Sequence, residues 1–374
     1  PDVEVKLESL KVRNADVAGE IQGSWRSGAS QGVGAGMRFP GLIDLRGQLS
    51  RIEARQVWRY LPLGVAPEAR DYVRLAIQGG QGENLQFKLK GDLWDFPFAK
   101  PGTGEFLVKV QMKDLMLSYV PDMAGGPSLW PAFQQIQGEL VFERQGMEIR
   151  NATGKLYGLD LLHIQARIPD LDHHPELQIT GQIRGPLADA LKYVSSSPIG
   201  GWLGHGLDQA TATGNAELKL GLQIPLDHSV DTKVQGSLQL QGNDLRILPS
   251  TPLLGNARGT LDFNETGFTL KPSTAKVLGG EATFYGASTR DLALGTVQRF
   301  NGQGSITAEG LRQATAARPS IVLLDVMMPG ELDGYQVCEK IKADPQLAKT
   351  RVIMLTARGQ QADIEQGNKA GADA

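Results

Sequence analysis

Several stretches of this 374-residue chain combine residue types and spacings that chemistry can use. Gly28-Ala29-Ser30-Gln31-Gly32 spells G-x-S-x-G, the string around a hydrolase nucleophile. Such a serine works only on a sharp turn between a strand and a helix. Here Gly32-Val33-Gly34-Ala35-Gly36 follows, a poor helix, so a flexible loop is expected. The same glycines lack the spacing and the βαβ frame of a dinucleotide site. Asp170, Asp172, His173, His174 and Glu176 are metal-ligating types close together, but adjacent histidines on a strand project to opposite faces. Between Pro169 and Pro175 the cluster reads as a solvated turn. His163 falls on the polar side of a strand, and His205, between two glycines, reads as a loop residue. Cys338 is the single cysteine and can make neither an internal disulfide nor a cysteine-based zinc site. No nucleophile stands with a base and an orienting group, so the expectation is a protein that is not an enzyme and holds no metal.

Composition points the same way. Lys and Arg number 38 against 41 Asp and Glu, a net charge of -3, which leaves no basic footprint for nucleic acid. Hydrophobic residues make up 41% and charged residues 21%, a globular balance, and the length allows roughly two or three domains. The 46 glycines suit many strands joined by tight turns. No apolar run approaches the roughly 18 residues that span a bilayer, and no charged-then-apolar leader precedes the first strand. The expectation is a water-soluble piece of a longer chain, with any membrane anchor outside it.

The elements that must position these residues are mostly strands. From Val3 to about Leu311, apolar and polar residues alternate: Leu85, Phe87 and Leu89; Phe106, Val108, Val110 and Met112; Leu162, Ile164, Ala166 and Ile168; Leu218, Leu220, Leu222 and Ile224; Leu238 and Leu240. Side chains alternate across a strand, so each segment carries one apolar and one polar face, as in antiparallel sheets wet on one side. Glycine precedes many of these segments, as at Gly91-Asp92-Leu93 and Gly138-Glu139-Leu140, which suggests stacked hairpins. Helical spacing is expected only over about Pro67 to Gln78, stopped by Gly79-Gly80, and from about Pro186 to Val194, with a shorter turn at Val57 to Tyr60. Two helices cannot cover a dozen or so strands. The apolar face must fold onto itself, meet a second sheet, or take an apolar guest. Trp58, Trp94, Trp130 and Trp202 are expected either in packing or along such a path.

The grammar changes after about Arg312. Ile321–Val326 is a solid apolar strand, Gly334 to about Ala343 is helical, Arg351–Ala357 is a second apolar strand, and Gly359–Ala370 is helical again. This is the pattern of a parallel α/β sheet.

Two resemblances follow. Val57-Trp58-Arg59-Tyr60-Leu61-Pro62, Pro67-Glu68-Ala69-Arg70-Asp71-Tyr72, Gly91 to Phe98, and Trp130-Pro131 with Ile136 to Leu140 resemble the YhdP branch of the AsmA-like proteins, over residues 1–314. That resemblance implies a long β-groove, open or taco-like, that carries phospholipid across the periplasm from an inner-membrane anchor toward the outer membrane. Its partners would be phospholipid acyl chains and inner- and outer-membrane components. Residues 320–374, joined through 315–319, resemble a response-regulator receiver. Asp325 matches the phosphoacceptor, Met328-Pro329-Gly330 and Asp333-Gly334-Tyr335 the following loop, and Thr356 the switch threonine. Mg2+ would be needed only if that site were complete. The acidic pair that holds the metal in receivers has no counterpart before Asp325, and the partner lysine lies beyond Ala374. A receiver belongs in the cytoplasm, whereas the first block belongs in the periplasm. The joining of two partial reading frames is the simplest reading, and a natural fusion the alternative.

The expected fold is therefore mainly β, a long curved antiparallel sheet with two short helices, followed by a partial flavodoxin-like α/β fragment. The expected function is a fragment of a phospholipid conduit. Leu162, Ile164, Ile168, Leu218, Leu220, Leu222, Leu238 and Leu240 are the groove candidates. The alternatives are a phosphorelay protein that uses Asp325 and a histidine kinase, and a structural scaffold that binds no lipid.

Overall fold

The structure, a computed structural model, describes residues 3–28, 37–62, 64–291, 295–305, 307, 309–310, 321–326, 332–345, 347–355 and 361–373. The Gly28–Gly36 loop, Met328-Pro329-Gly330, the 315–319 junction and Thr356 lie wholly or mostly outside these residues.

The chain is mainly β, 55% strand. The strands are β1 (Glu4–Arg13), β2 (Val17–Arg26), β3 (Leu42–Glu53), β4 (Ile77–Asp92), β5 (Gly104–Leu117), β6 (Phe133–Glu143), β7 (Gly146–Leu156), β8 (Leu159–Ile168), β9 (Glu176–Pro186), β10 (Thr211–Ala212), β11 (Asn215–Pro225), β12 (Lys233–Arg246), β13 (Leu254–Asn264), β14 (Gly267–Val277), β15 (Gly280–Asp291) and β16 (Gly295–Gly304). They follow one another in a single open sheet in sequence order, with the short β10 pairing β12 off the main path. Sequential antiparallel hairpins are the cheapest way to use alternating segments, because each turn closes a short loop.

Helices are few, as the periodicity implies. α1 covers Pro67–Ala76, α2 Leu187–Ser195 and α3 Pro198–Trp202, and a 3-10 turn spans Ala54–Tyr60. Pro67 opens α1 where its missing N–H costs nothing. The helix ends at Ala76, before the expected stop at Gly79. Ile77 is already paired with Leu117, so the sheet ladder, not a glycine cap, terminates it. Arg70 ties α1 to the 3-10 turn by donating to the carbonyls of Pro62 (2.8 Å) and Leu61 (3.3 Å). Beneath them Ala54, Leu115 and Ile136 form a small buried cluster flanked by Ile77, Met112, Leu117 and Phe133.

The chain divides into two compact units, Pro1–Gly185 with Lys192–Trp202 and Glu217–Ser237, and Pro186–Leu191 with Leu203–Ala216 and Leu238–Ala374. The second unit holds the α/β segment: β17 (Ile321–Asp325) pairs in parallel with β18 (Arg351–Leu355), with α4 (Gly334–Ala343) and α5 (Gln361–Lys369). Leu324, Tyr335, Val337, Cys338, Ile341, Leu347, Val352 and Ala370 make a buried core there. Asp373 accepts from Val352 N (2.7 Å) and Lys342 Nζ (2.6 Å), pinning the last described residues to β18. These bonds, Lys342 first, hold its carboxyl below the usual carboxylate range.

Strand register requires glycine at specific points. Gly23 sits opposite Leu45 with φ 148°, and a Cβ there would stand 2.0 Å from the Asp44 carbonyl oxygen. A Cβ on Gly64 would meet nothing within 4 Å. Gly23→Ala is therefore expected to lower stability by on the order of 1–3 kcal/mol. Gly64→Ala is expected to leave the thermal midpoint unchanged. Equal midpoints for the two variants would contradict the register.

Candidate functional site

Cross-strand pairing assembles the alternating residues into apolar rows. Phe87 pairs with Val108, Val108 with Phe142, Phe142 with Met147 and Met147 with Ile168, one row across β4 to β8. A parallel row runs Val110, Leu140, Ile149, Ala166 and Ile179 across β5 to β9. Toward the first strands, Leu45 pairs with Leu89 and Leu89 with Phe106, while Val5 pairs with Trp25 and Trp25 with Ile43. Phe87, Leu89, Phe106, Val108, Val110, Leu140, Phe142, Met147 and Ile149 are only half-buried. Neighbours within the sheet cover their flanks, and no second layer among the described residues brings them to core burial.

The opposite face carries the charges. Asp44 pairs with Lys90 (2.9 Å), Glu83 with Lys113 (2.9 Å), Lys109 with Glu139 (3.1 Å), Arg150 with Glu148 (2.6 Å) and Arg184 with Glu217 (2.8 Å), each across or beside strand pairs. Such exposed pairs contribute about 0–1 kcal/mol each, but they make the sheet two-faced.

Aromatic clusters bound the apolar face at both ends of β5. At its start, the ring of the fully buried Phe98 occupies the space left by Gly91 and Gly104, where added Cβ atoms would lie 2.7 and 2.4 Å from it. Phe96 packs edge-on against both Phe98 and Phe106. At its far end, Tyr119 stacks on Phe133 (4.5 Å) and meets Trp130, which meets Trp202 (5.7 Å). The Tyr119 and Tyr193 hydroxyls share a hydrogen bond of 2.8 Å. Burial pushes both phenols above their ordinary pKa. Of the tryptophans considered, Trp202 is 73% exposed and Trp94 41%, while Trp58 and Trp130 are half-buried. None is enclosed in a core.

Among the groove candidates, Ile164 and Ile168 stand on the apolar face. Ile164 pairs with the buried Ala152 and Ile168 with Met147. Leu162 does not share that face. Its neighbour Leu161 pairs with Gly154, which lies on the same side of β7 as Ala152, so Leu161 and Ile164 project together and Leu162 projects away. A β-bulge causes this: the register between β8 and β9 shifts between Leu162 and Gln165, and His163 takes φ 53°. The extra residue flips the alternation. Similar positive-φ residues interrupt neighbouring strands at Asn84, Asp114, Gln135, Asn151 and Asn256, mostly polar types that tolerate this conformation. The sequence signal is a polar residue that breaks alternation inside a strand. Leu218, Leu220 and Leu222 on β11, and Leu238 and Leu240 on β12, are half-buried, while Lys219, Gln223 and Gln239 between them are exposed.

The remaining polar candidates stay at the surface. His173 lies 3.3 Å from Asp170, and His174 lies 3.8 Å from Asp227. Asp170 accepts from the backbone N–H groups of Asp172 and His173, which hold its carboxyl below its usual range and close a turn. His205 contacts Asp208 at 2.8 Å in an exposed loop. Among the described residues there is no group of three His, Cys, Asp or Glu that could hold a metal ion.

Asp325 ends β17 opposite Leu355 and is exposed. The chain returns beside it through Gly334, whose N–H donates to Val326 O (3.2 Å) and whose Cβ would strike the Asp325 carbonyl oxygen at 2.2 Å, so only glycine fits. Asp333 is committed to capping α4, accepting from Gln336 N in a capping box. An aspartyl phosphoacceptor needs a divalent cation held by several oxygen ligands. The described residues do not supply that set.

Comparison with known proteins fits this geometry. The family described as YhdP protein matches residues 2–333, and the response regulator receiver domain matches residues 303–374, so the two overlap over 303–333. The receiver match thus begins upstream of the strand that ends in Asp325. The chain is 29% identical over 228 residues to the intermembrane phospholipid transporter YhdP of Escherichia coli, covering 61% of this chain and 17% of that protein. Its C-terminal part is 41% identical over 81 residues to the transcriptional regulatory protein AfsQ1 of Streptomyces coelicolor, covering 18% of this chain and 34% of that one. It is also 49% identical over 61 residues to the response regulator PleD of Caulobacter vibrioides, covering 16% and 13%. The chain thus spans well under half of each of these relatives. No solved structure matches it significantly. Among the described residues no helix is long and apolar enough to cross a membrane. With most of its length matched and a receiver domain at its C-terminus, the chain belongs to the YhdP protein family.

Proposed function

We propose that the sheet is a segment of a phospholipid conduit, working without catalysis. Its place would be the periplasm, in a parent protein anchored in the inner membrane, with lipid passing between the two membranes. The observation that carries this reading is the set of apolar rows across β4 to β9, half-buried from Phe87 to Met147, from Val110 to Ile149 and at Ile179, and buried only at Ala166 and Ile168 on β8. Each CH2 group withdrawn from water gives roughly 0.8 kcal/mol. An acyl chain laid along such a row gains that for its own methylenes and finishes the burial of the leucines, valines and phenylalanines beneath. Backbone polar groups are already paired in the ladders, so the guest needs no hydrogen bonds and stays mobile. The match to a phospholipid transporter supports the same reading.

We further propose that the receiver segment is inert as a phosphoacceptor. Asp325 is exposed at the right end of its strand, but the described residues offer no cluster to hold Mg2+ beside it.

Adjacent positions test the conduit. A photoreactive benzoylphenylalanine at position 164, on the apolar face, is expected to crosslink phospholipid in vivo. The same group at 162, across the bulge, is expected to crosslink at least about tenfold less, since it projects to the opposite face of the sheet. Equal labelling would remove the face assignment. For the receiver segment, incubation with acetyl phosphate and Mg2+ is expected to give no acid-labile phosphate. Stoichiometric phosphate that Asp325→Asn abolishes would restore the signalling reading.

A further inference from the structure

At the turn between β6 and β7 lies a cavity of about 250 Å3. Its lining joins Met147 and Ile168 of the apolar row to Glu148, Arg150 and Arg167 of the charged face and to the turn residue Arg144. The cavity therefore sits at the strand ends, where the two faces of the sheet meet.

The three arginines are not equivalent. Glu148 lies 2.6 Å from Arg150 and 3.6 Å from Arg167, so it compensates those two. Arg144 forms no ion pair with any carboxylate among the described residues. It is half-buried and held in place: Nη1 donates to the carbonyl of Phe98 (2.8 Å), whose side chain is fully buried, and its backbone N–H donates to Phe106 O (3.0 Å). Its other guanidinium N–H groups have no protein partner among the described residues. Glu143, exposed, lines the same cavity and acts on Arg150 through space.

A fixed guanidinium with spare donors, beside an apolar row and without a counter-ion, suits one chemical class. We propose that Arg144 and this cavity bind the phosphodiester of a phospholipid whose chains lie along Val108, Phe142, Met147 and Ile168. The planar fork matches two phosphate oxygens at once. The cavity is smaller than the roughly 300–1,000 Å3 that enclose a drug-sized ligand, so it holds a headgroup and leaves the chains on the open face. The assignment rests on the conduit reading and gives it a polar anchor: the headgroup stays at the rim while the tails are sheltered.

Isothermal titration of the whole chain with dihexanoylphosphatidylglycerol, with dihexanoylglycerol and with inorganic phosphate separates the contributions. The wild type is expected to prefer the phospholipid over dihexanoylglycerol about tenfold, the worth of one charge-assisted contact. Arg144→Gln is expected to abolish that preference and leave dihexanoylglycerol binding unchanged. Glu143→Gln, which does not touch the Phe98 tether, is expected to tighten phospholipid binding about twofold by removing an exposed like-signed neighbour of the phosphate. Arg144→Gln binding the phospholipid as the wild type does would overturn the assignment, as would an unchanged affinity in Glu143→Gln. Inorganic phosphate binding as tightly as the phospholipid would identify a free-phosphate site instead and overturn the headgroup. A wild type that binds dihexanoylglycerol with no preference for phosphate sinks this assignment alone, whereas one that binds neither lipid sinks the conduit reading with it.

Discussion

An antiparallel ladder satisfies its own backbone but says nothing about what covers its faces, and the rest of this molecule follows from that asymmetry. Hairpin after hairpin pairs N–H with C=O along β1 to β9, while the side chains sort into a charged face and an apolar one. Water solves the charged face. Among the described residues, α1, the 3-10 turn and two aromatic clusters pack near the ends of β5. Between them run the rows from Phe87 to Ile168 and from Val110 to Ile179, half-buried except at Ala166 and Ile168. A protein that meant to be a dry sandwich would place a second sheet there.

Much of this was legible in the residues. Alternation fixed the strand character of Leu85 to Leu89, Phe106 to Met112 and Leu218 to Ile224, and Pro67 placed the start of α1. The helix at 334–343 and the strand ending in Asp325 were also plain. The faces were harder. Leu161 and Leu162 are both apolar, so period-two counting from Ile168 back through Ile164 selects Leu162, and only the left-handed backbone of His163 shows that Leu161 takes its place. A bulge changes the face without changing the composition, which is why no count of apolar residues detects it. The same limit hid the end of α1, because Ile77 leaves the helix for a ladder partner forty residues away.

The C-terminal segment poses the opposite problem. Its local signals are strong and consistent: a solid apolar strand, a capping box at Asp333, a glycine that admits no side chain at 334, and a buried core around Cys338. Local consistency holds up a scaffold, which is a separate matter from its chemistry. Phosphoryl transfer is governed by charge neutralisation at the acceptor. The receiver pattern organises the backbone around Asp325, and among the described residues no group of three His, Cys, Asp or Glu stands together to hold a metal ion.

On the proposed function, hydrocarbon from lipid, not protein, completes the apolar face. Native mass spectrometry of the chain after extraction in a mild detergent measures this directly. Discrete added masses of phospholipid, lost when the apolar row is broken by Val108→Asp while the fold is retained, are the result expected. A chain that emerges lipid-free, and stays so after exposure to mixed phospholipid micelles, would mean that the rows are only the inside of a spacer.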